Sequence, residues 1–218
     1  MLKYATLSTN PYSSHMRIVQ LVGNNKKVLD VGCSAGHLSK VFKENGCEVV
    51  GIELDDESAK IARNYCIDVI KGDVETINLN YPDEYFDVIV FGDILEHLKN
   101  PQTVLIKLRR YLKKDGYIVC SIPNIAHITV RLMLLMGKWE YEDVGLLDRT
   151  HLRFFTKKTA IKLAENAGFK IEEVYPTPWI PFFRLRKLHP IFLKIEYTIT
   201  KMLPTLFALQ FVIKARKI

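Results

Sequence analysis

Asp30, Glu53 and Asp73 each close a short apolar run, in VLD, VVGIE and VIKGD. After Asp30 comes a glycine turn, Gly32-Cys33-Ser34-Ala35-Gly36. A carboxylate beside such a turn suits a ligand that carries positive charge, and the glycines let backbone amides come close where a Cβ would collide. The spacing Gly-x-x-x-Gly is not the Gly-x-Gly-x-x-Gly of dinucleotide binders, and no Gly-Lys-Ser/Thr follows to cradle a phosphate. Glu53, 23 residues beyond Asp30, stands where an acid can take both hydroxyls of a ribose. Asp73 can accept from the exocyclic amine of a base. An adenosine with an amino-acid side arm fits all three.

Three histidines can move a proton. His97 follows Asp93 by four residues, which puts both on one face of a helix. His127 follows the run SIPN, and His151 lies within residues 144–155, VGLLDRTHLRFF. That last stretch sets an acid, two arginines and a histidine between apolar pairs, with no clear helix or strand period.

These residues need a frame that brings them together. Asn10-Pro11 opens a helix that Gly23 closes. KKVLDVG is a short β run, HLSKVFKENG a helix with a glycine stop, and CEVVGIE a second strand. DDESAKIARNY forms another helix with acids in its first turn. IDVIKGD, FDVIVFGD and GYIVCSIP supply strands three to five, with a helix over 101–113 that ends on Lys113 and Lys114. Thr156 caps a helix ending at Ala167-Gly168; FKIEEVY follows, and FALQFVIKAR is the last strand. This alternation predicts a mostly parallel sheet covered on both faces, with the closing strand as an antiparallel member hairpinned into the sheet edge. Asp30, Glu53 and Asp73 then share the carboxyl ends of the strands, where open α/β sheets bind ligands.

The runs VLDVGCSAG, VVGIELD, KGDVE and FDVIVFGDILEHL resemble, in order and spacing, the successive motifs of class I S-adenosylmethionine-dependent methyltransferases. The resemblance covers roughly residues 26–122, a donor-binding core within a single domain spanning 1–218. It implies a Rossmann-like α/β fold of seven strands in the order 3-2-1-4-5-7-6, the last antiparallel. It also implies S-adenosylmethionine as cofactor. Asp30 would then hold the donor's amino group, with Gly32, Cys33 and Gly36 along its methionine arm. Glu53 would bind ribose, Leu54 would lie against the adenine, and Asp73 and Val74 would meet its edge. Asp93, with the backbone near Phe91 and Gly92, would lie by the methyl donor. No Asn/Asp-Pro-Pro-aromatic run follows strand four, which argues against amino-group methylation of flipped bases.

LLDRTHLRFFT is similar to a segment of one subgroup associated with glycan biosynthesis. Residues 124–155 then form a helical acceptor lid, with Asn124, Asp148, Arg149 and Arg153 as acceptor-binding candidates. An alcohol oxygen must lose its proton as it attacks a methyl group, so His151 is the first candidate base and His97 the second. A saccharide or lipid-linked saccharide is the expected acceptor, and a small aromatic or quinone-like hydroxyl the alternative. From a different class, a non-catalytic donor-binding scaffold remains. Glu96 and His97 form an LEH element like that of ubiquinone-pathway O-methyltransferases. Two neighbouring ligands do not make a metal site, so none is expected.

The net charge of +7 comes from residues 176–218, which hold eight basic residues and one acidic one. A nucleic-acid surface is therefore not expected. Residues 179–203 are apolar on most sides and carry Arg184, Arg186, Lys187, Lys194 and Lys201. They form helices packed over the lid or a partner subunit, or they dock on anionic lipid. With no long apolar span and four unpaired cysteines, the expected location is the cytoplasm, with peripheral membrane contact open.

Overall fold

The computed structural model describes residues 10–181 and 189–218. Arg184, Arg186 and Lys187 lie outside them.

Seven strands form one sheet in the order β3-β2-β1-β4-β5-β7-β6. They are β1 (Lys27–Val31), β2 (Glu48–Glu53), β3 (Asp68–Lys71), β4 (Phe86–Gly92), β5 (Leu112–Pro123), β6 (Phe169–Pro178) and β7 (Ala208–Lys217). β1 to β5 run parallel, and β7 is antiparallel to both β5 and β6. The order and the antiparallel strand are those implied by the motif resemblance. The closing strand does not lie at the edge, however: it is inserted between β5 and β6. A strand buried on both faces needs apolar side chains throughout, and residues 211–213, Phe-Val-Ile, are all fully buried.

Successive side chains on the strands feed two cores. Leu29, Val31, Ile89 and Phe91 join one beneath α4 (Pro101–Arg109) and α6 (Lys157–Asn166). Val28, Val88 and Val90 join the other with Ile18 and Val22 of α1 (Ser14–Val22) and Phe42 of α2 (His37–Glu44). This period-two division gives a sheet covered by helices on each face.

Three boundaries differ from expectation. α1 starts at Ser14, because Asn10 spends its side chain and carbonyl on the amides of Tyr12 and Ser13, and the Ser13 hydroxyl caps Met16. The helix expected over 101–113 ends at Arg109. Leu112 instead pairs with Phe86 in β5, and Lys113 reaches Asp87 at 2.7 Å rather than completing a helical turn. Leu108 and Leu112 are four apart, a spacing that also suits one helix face. The lid holds a single helix, α5 (Ile128–Leu135), and largely irregular chain from Met136 to Phe155. α3 (Asp56–Ala62) has the expected acidic first turn, and Thr156 caps α6 as expected. In the tail, α7 (Pro190–Met202) begins at Pro190 and leads through the short α8 (Pro204–Phe207) into β7.

Candidate active site

The glycine turn leaves β1 at its carboxyl end. Gly32 and Gly36 have φ of 70° and 78°, a region open chiefly to glycine. A Cβ on Gly32 would press on Ile94 at 3.0 Å, and one on Gly36 would meet the Ala62 backbone at 3.1 Å. The amides of Gly32 and Cys33 both donate to Ile52 of β2. The turn is thus tied to β2 and bare of side chains at Gly32 and Gly36.

Asp30 lies behind it, buried, and accepts from the Ser39 hydroxyl at 2.7 Å. Burial raises its pKa to about 6, partly offset by that hydrogen bond. Glu53 ends β2 half-exposed. One of its oxygens accepts from the Ser34 amide at 2.7 Å, and the other from the amides of Leu54 and Asp55. It therefore fixes the two donor loops relative to each other. Leu54 is 67% exposed, an unpaired apolar surface beside this carboxylate and available to a flat ring. Asp73 lies two residues past β3, exposed, turned onto the Glu75 amide, while Val74 is buried. Asp93, with φ of 54°, follows β4; its carboxylate accepts from Ser121 at 2.7 Å and Gln210 at 2.9 Å. Neither of those partners was singled out in the sequence, since only the insertion of β7 brings Gln210 here.

Past Asp93 the chain makes a 3₁₀ turn, Leu95–His97, and the lid is sewn onto it. The amides of Leu152 and Arg153 donate to the Glu96 carbonyl at 2.8 and 2.9 Å, and His97 Nδ1 lies 3.1 Å from the Thr150 carbonyl. His97 and His151 thereby meet edge to face, with ring centroids 4.8 Å apart. His151 Nδ1 lies 3.3 Å from the Leu146 carbonyl, which assigns the proton to Nδ1 and leaves the Nε2 lone pair free to act. Burial first, then His97, lower its pKa and keep the ring neutral. Phe154, Trp139 and Tyr141 continue from His151 as an edge-to-face series. These three aromatics had no periodic signal in the sequence.

The Glu96 carboxylate is buried, and neither oxygen has a hydrogen-bond partner. Burial, then Asp93, pushes its pKa well above the ordinary carboxylate range. With His97 and His151 it offers three ligand atoms, all within 4.8 Å of one another. The sequence offered only two neighbouring ligands; the fold supplies the third. A carboxylate and two imidazoles suit a divalent transition ion.

The remaining candidates are occupied within the fold. Asn124 is fully buried, donating to Ala208 and Thr205 and accepting from Ala126, which clamps β5 to the start of β7. Asp148, also buried, accepts from the amide and hydroxyl of Thr150. Arg153 donates twice to the Lys99 carbonyl, and Arg149 pairs with exposed Asp143 at 3.0 Å. His127 caps α5 and reaches the Trp179 carbonyl at 2.9 Å, a structural role.

The model of a methyltransferase domain family matches residues 12–174. The chain belongs to this methyltransferase family. It is similar to the ubiquinone biosynthesis O-methyltransferase of Haemophilus ducreyi, 35% identical over 172 residues, covering 71% of this chain and 73% of the relative. The enzyme of the same name from Nitrosospira multiformis is 30% identical, covering 75% and 70%. The crystal structure of a SAM-dependent methyltransferase from Archaeoglobus fulgidus superposes with a TM-score of 0.63 at 22% identity, over 94% of this chain and 95% of that one. The names of these relatives do not support the glycan-associated subgroup. This methyltransferase uses S-adenosylmethionine, and the glycine cradle, the exposed Leu54 and the strand-tip carboxylates suit that ligand.

Proposed function

We propose that the enzyme O-methylates a small aromatic, quinone-precursor-like hydroxyl, rather than the saccharide expected from the lid motif. The observation that carries this reading is the wall of Tyr141, Trp139, Phe154 and His151 beside the donor end of the sheet. Trp139 and Phe154 keep 38% and 36% of their surface exposed, enough to stack a planar acceptor. The arginines that would hold a sugar acid or phosphate are turned to Lys99 and Asp143. The names carried by the curated relatives point the same way.

S-adenosylmethionine supplies an electrophilic methyl group; the chain supplies position and a proton acceptor. The aromatic wall orients the acceptor, and orientation alone can recover on the order of 7–11 kcal/mol of barrier. His151 Nε2 takes the hydroxyl proton as its oxygen attacks, while Leu146 holds the Nδ1 proton in place. Asp148 and Asp93 favour the imidazolium that forms. His151→Ala is expected to lower kcat roughly 10²–10⁴-fold on a catechol acceptor with donor affinity unchanged. Near wild-type kcat at saturating donor and acceptor removes His151 as base. Faster turnover on a nucleotide sugar than on the catechol overturns the acceptor class.

A second reading is favoured by the unpartnered Glu96 carboxylate: Glu96, His97 and His151 would hold a divalent ion, which would supply Lewis-acid chemistry toward the acceptor oxygen. Turnover that is lost on chelation and restored by one added metal selects it over the metal-free base.

A further inference from the structure

Two thiols converge beneath the donor cradle. Cys33 belongs to the glycine turn itself, and Cys66 lies between α3 and β3. A methyl group built on Gly51 of β2 would meet Cys33 Sγ at 2.6 Å and Cys66 Sγ at 3.4 Å. Both sulfurs therefore crowd the same side-chain-free spot and face each other across it. They share a small apolar cluster with Ala59, Ala62 and Val69, and neither is in a disulfide. The two differ in reach, since Cys33 is buried and Cys66 is partly exposed. They also differ in acidity. The Cys33 thiol holds Cys66 below the ordinary thiol value, while Cys66 and burial push Cys33 up. The accessible sulfur is thus the more readily ionised one, which is the order that thiol oxidation needs. The pair adjoins Asp30, the carboxylate behind the donor turn. Cys47 and Cys120 are buried elsewhere, and burial pushes Cys120 up to about 12.

We propose that Cys66 and Cys33 are an oxidative modification site: a hydroperoxide converts them to an intramolecular disulfide that weakens donor binding. In the first step the Cys66 thiolate attacks a peroxide oxygen. The O–O bond breaks, leaving a sulfenic acid and hydroxide, which takes up a proton to become water. In the second step the Cys33 sulfur attacks the Cys66 sulfur, the S–O bond breaks, and the Cys33 proton leaves with the departing oxygen as water. Overall, two thiols and one hydrogen peroxide give one disulfide and two waters, with two electrons passing from sulfur to oxygen. A bond of about 2.05 Å pulls the turn toward the segment between α3 and β3. Ser34, next to Cys33, is tied to Glu53, so the pull distorts both donor loops together.

The test treats the full chain with hydrogen peroxide and maps tryptic peptides without reduction. A cross-link between peptides 28–40 and 64–71 is expected. Calorimetry with S-adenosylhomocysteine should then show affinity weakened by about tenfold and restored by dithiothreitol. Cys66→Ser should keep the reduced-state affinity and lose the peroxide response, whereas Cys47→Ser should respond as the wild type does. No cross-link between these peptides in the wild-type chain overturns the proposal, as does unchanged affinity once the link has formed.

Discussion

Burial holds the Asp30 carboxyl at about 6, against an ordinary 3.8, so in the free enzyme its charged form is disfavoured below about pH 6. The sign of the linkage follows directly. A raised acid binds more protons folded than unfolded, so this group lowers stability as pH climbs from about 4 to about 6 and adds no further change above that. The cost at neutral pH is about 3 kcal/mol. Asp30→Asn should therefore match wild type near pH 4 and exceed it in chemical denaturation near pH 8. Donor binding should show the mirror image: a cationic amino group held near Asp30 draws off its proton, so affinity rises between pH 5 and 7. Calorimetry in buffers of different ionisation enthalpy would detect the released proton. Affinity flat across that range would place the donor's amino group away from Asp30. The type and spacing of Asp30, Glu53 and Asp93 were legible in the sequence because strand ends announce themselves. The burial of Asn124 and Asp148 was not, because both depend on contacts across the lid and, for Asn124, across β7.

Elements with local signals were legible, and those set by distant packing were not. Thr156 shows the contrast within one segment. Its hydroxyl accepts from the Thr159 amide while the Thr159 hydroxyl accepts from its own amide, a reciprocal cap written in four consecutive residues. Just before it, 148–155 has no period, because its backbone is held by the Glu96 carbonyl and a bridge from Phe155 to Asn124. Thr156→Ala should cost about 1 kcal/mol and lower Tm by roughly 2–4 °C. Because the cap also fixes where the lid ends, acceptor KM should rise while donor affinity holds. A thermal scan with paired donor and acceptor titrations checks this, and equal losses for both ligands would mean the cap supports the whole fold rather than the lid. The end of α4 went the other way: Leu108 and Leu112 fit a helix face locally, but pairing of Leu112 with Phe86 decides for the strand.

At the scale of the whole molecule, the basic residues of the tail that lie among the described residues divide in two. Lys214, Arg216 and Lys217 of β7 are paired with Glu172 and Glu173 of β6 and with Glu84 just before β4, so three acids balance their charge. Lys194 and Lys201 of α7 stand exposed. On that helix Ile191, Ile195 and Met202 are exposed at 48%, 42% and 75%, and steps of four and seven residues keep them on one side. The lysines border this apolar stripe, while Glu196 and Thr200 turn inward, with Glu196 accepting from the Ile180 amide. An apolar stripe edged by lysines is the pattern of a helix that lies in a membrane interface. No helix among the described residues is long and apolar enough to cross a membrane, so any contact through α7 is from one side. The protein should therefore co-sediment with vesicles containing anionic lipid at low salt, weakly with neutral ones, and less as salt rises, since each lysine near the surface contributes about 1 kcal/mol. Lys194→Glu with Lys201→Glu should abolish the salt-sensitive part. Retained pelleting by that double variant would assign the contact to another surface, and no pelleting of the wild type would leave the stripe as a face for a protein partner.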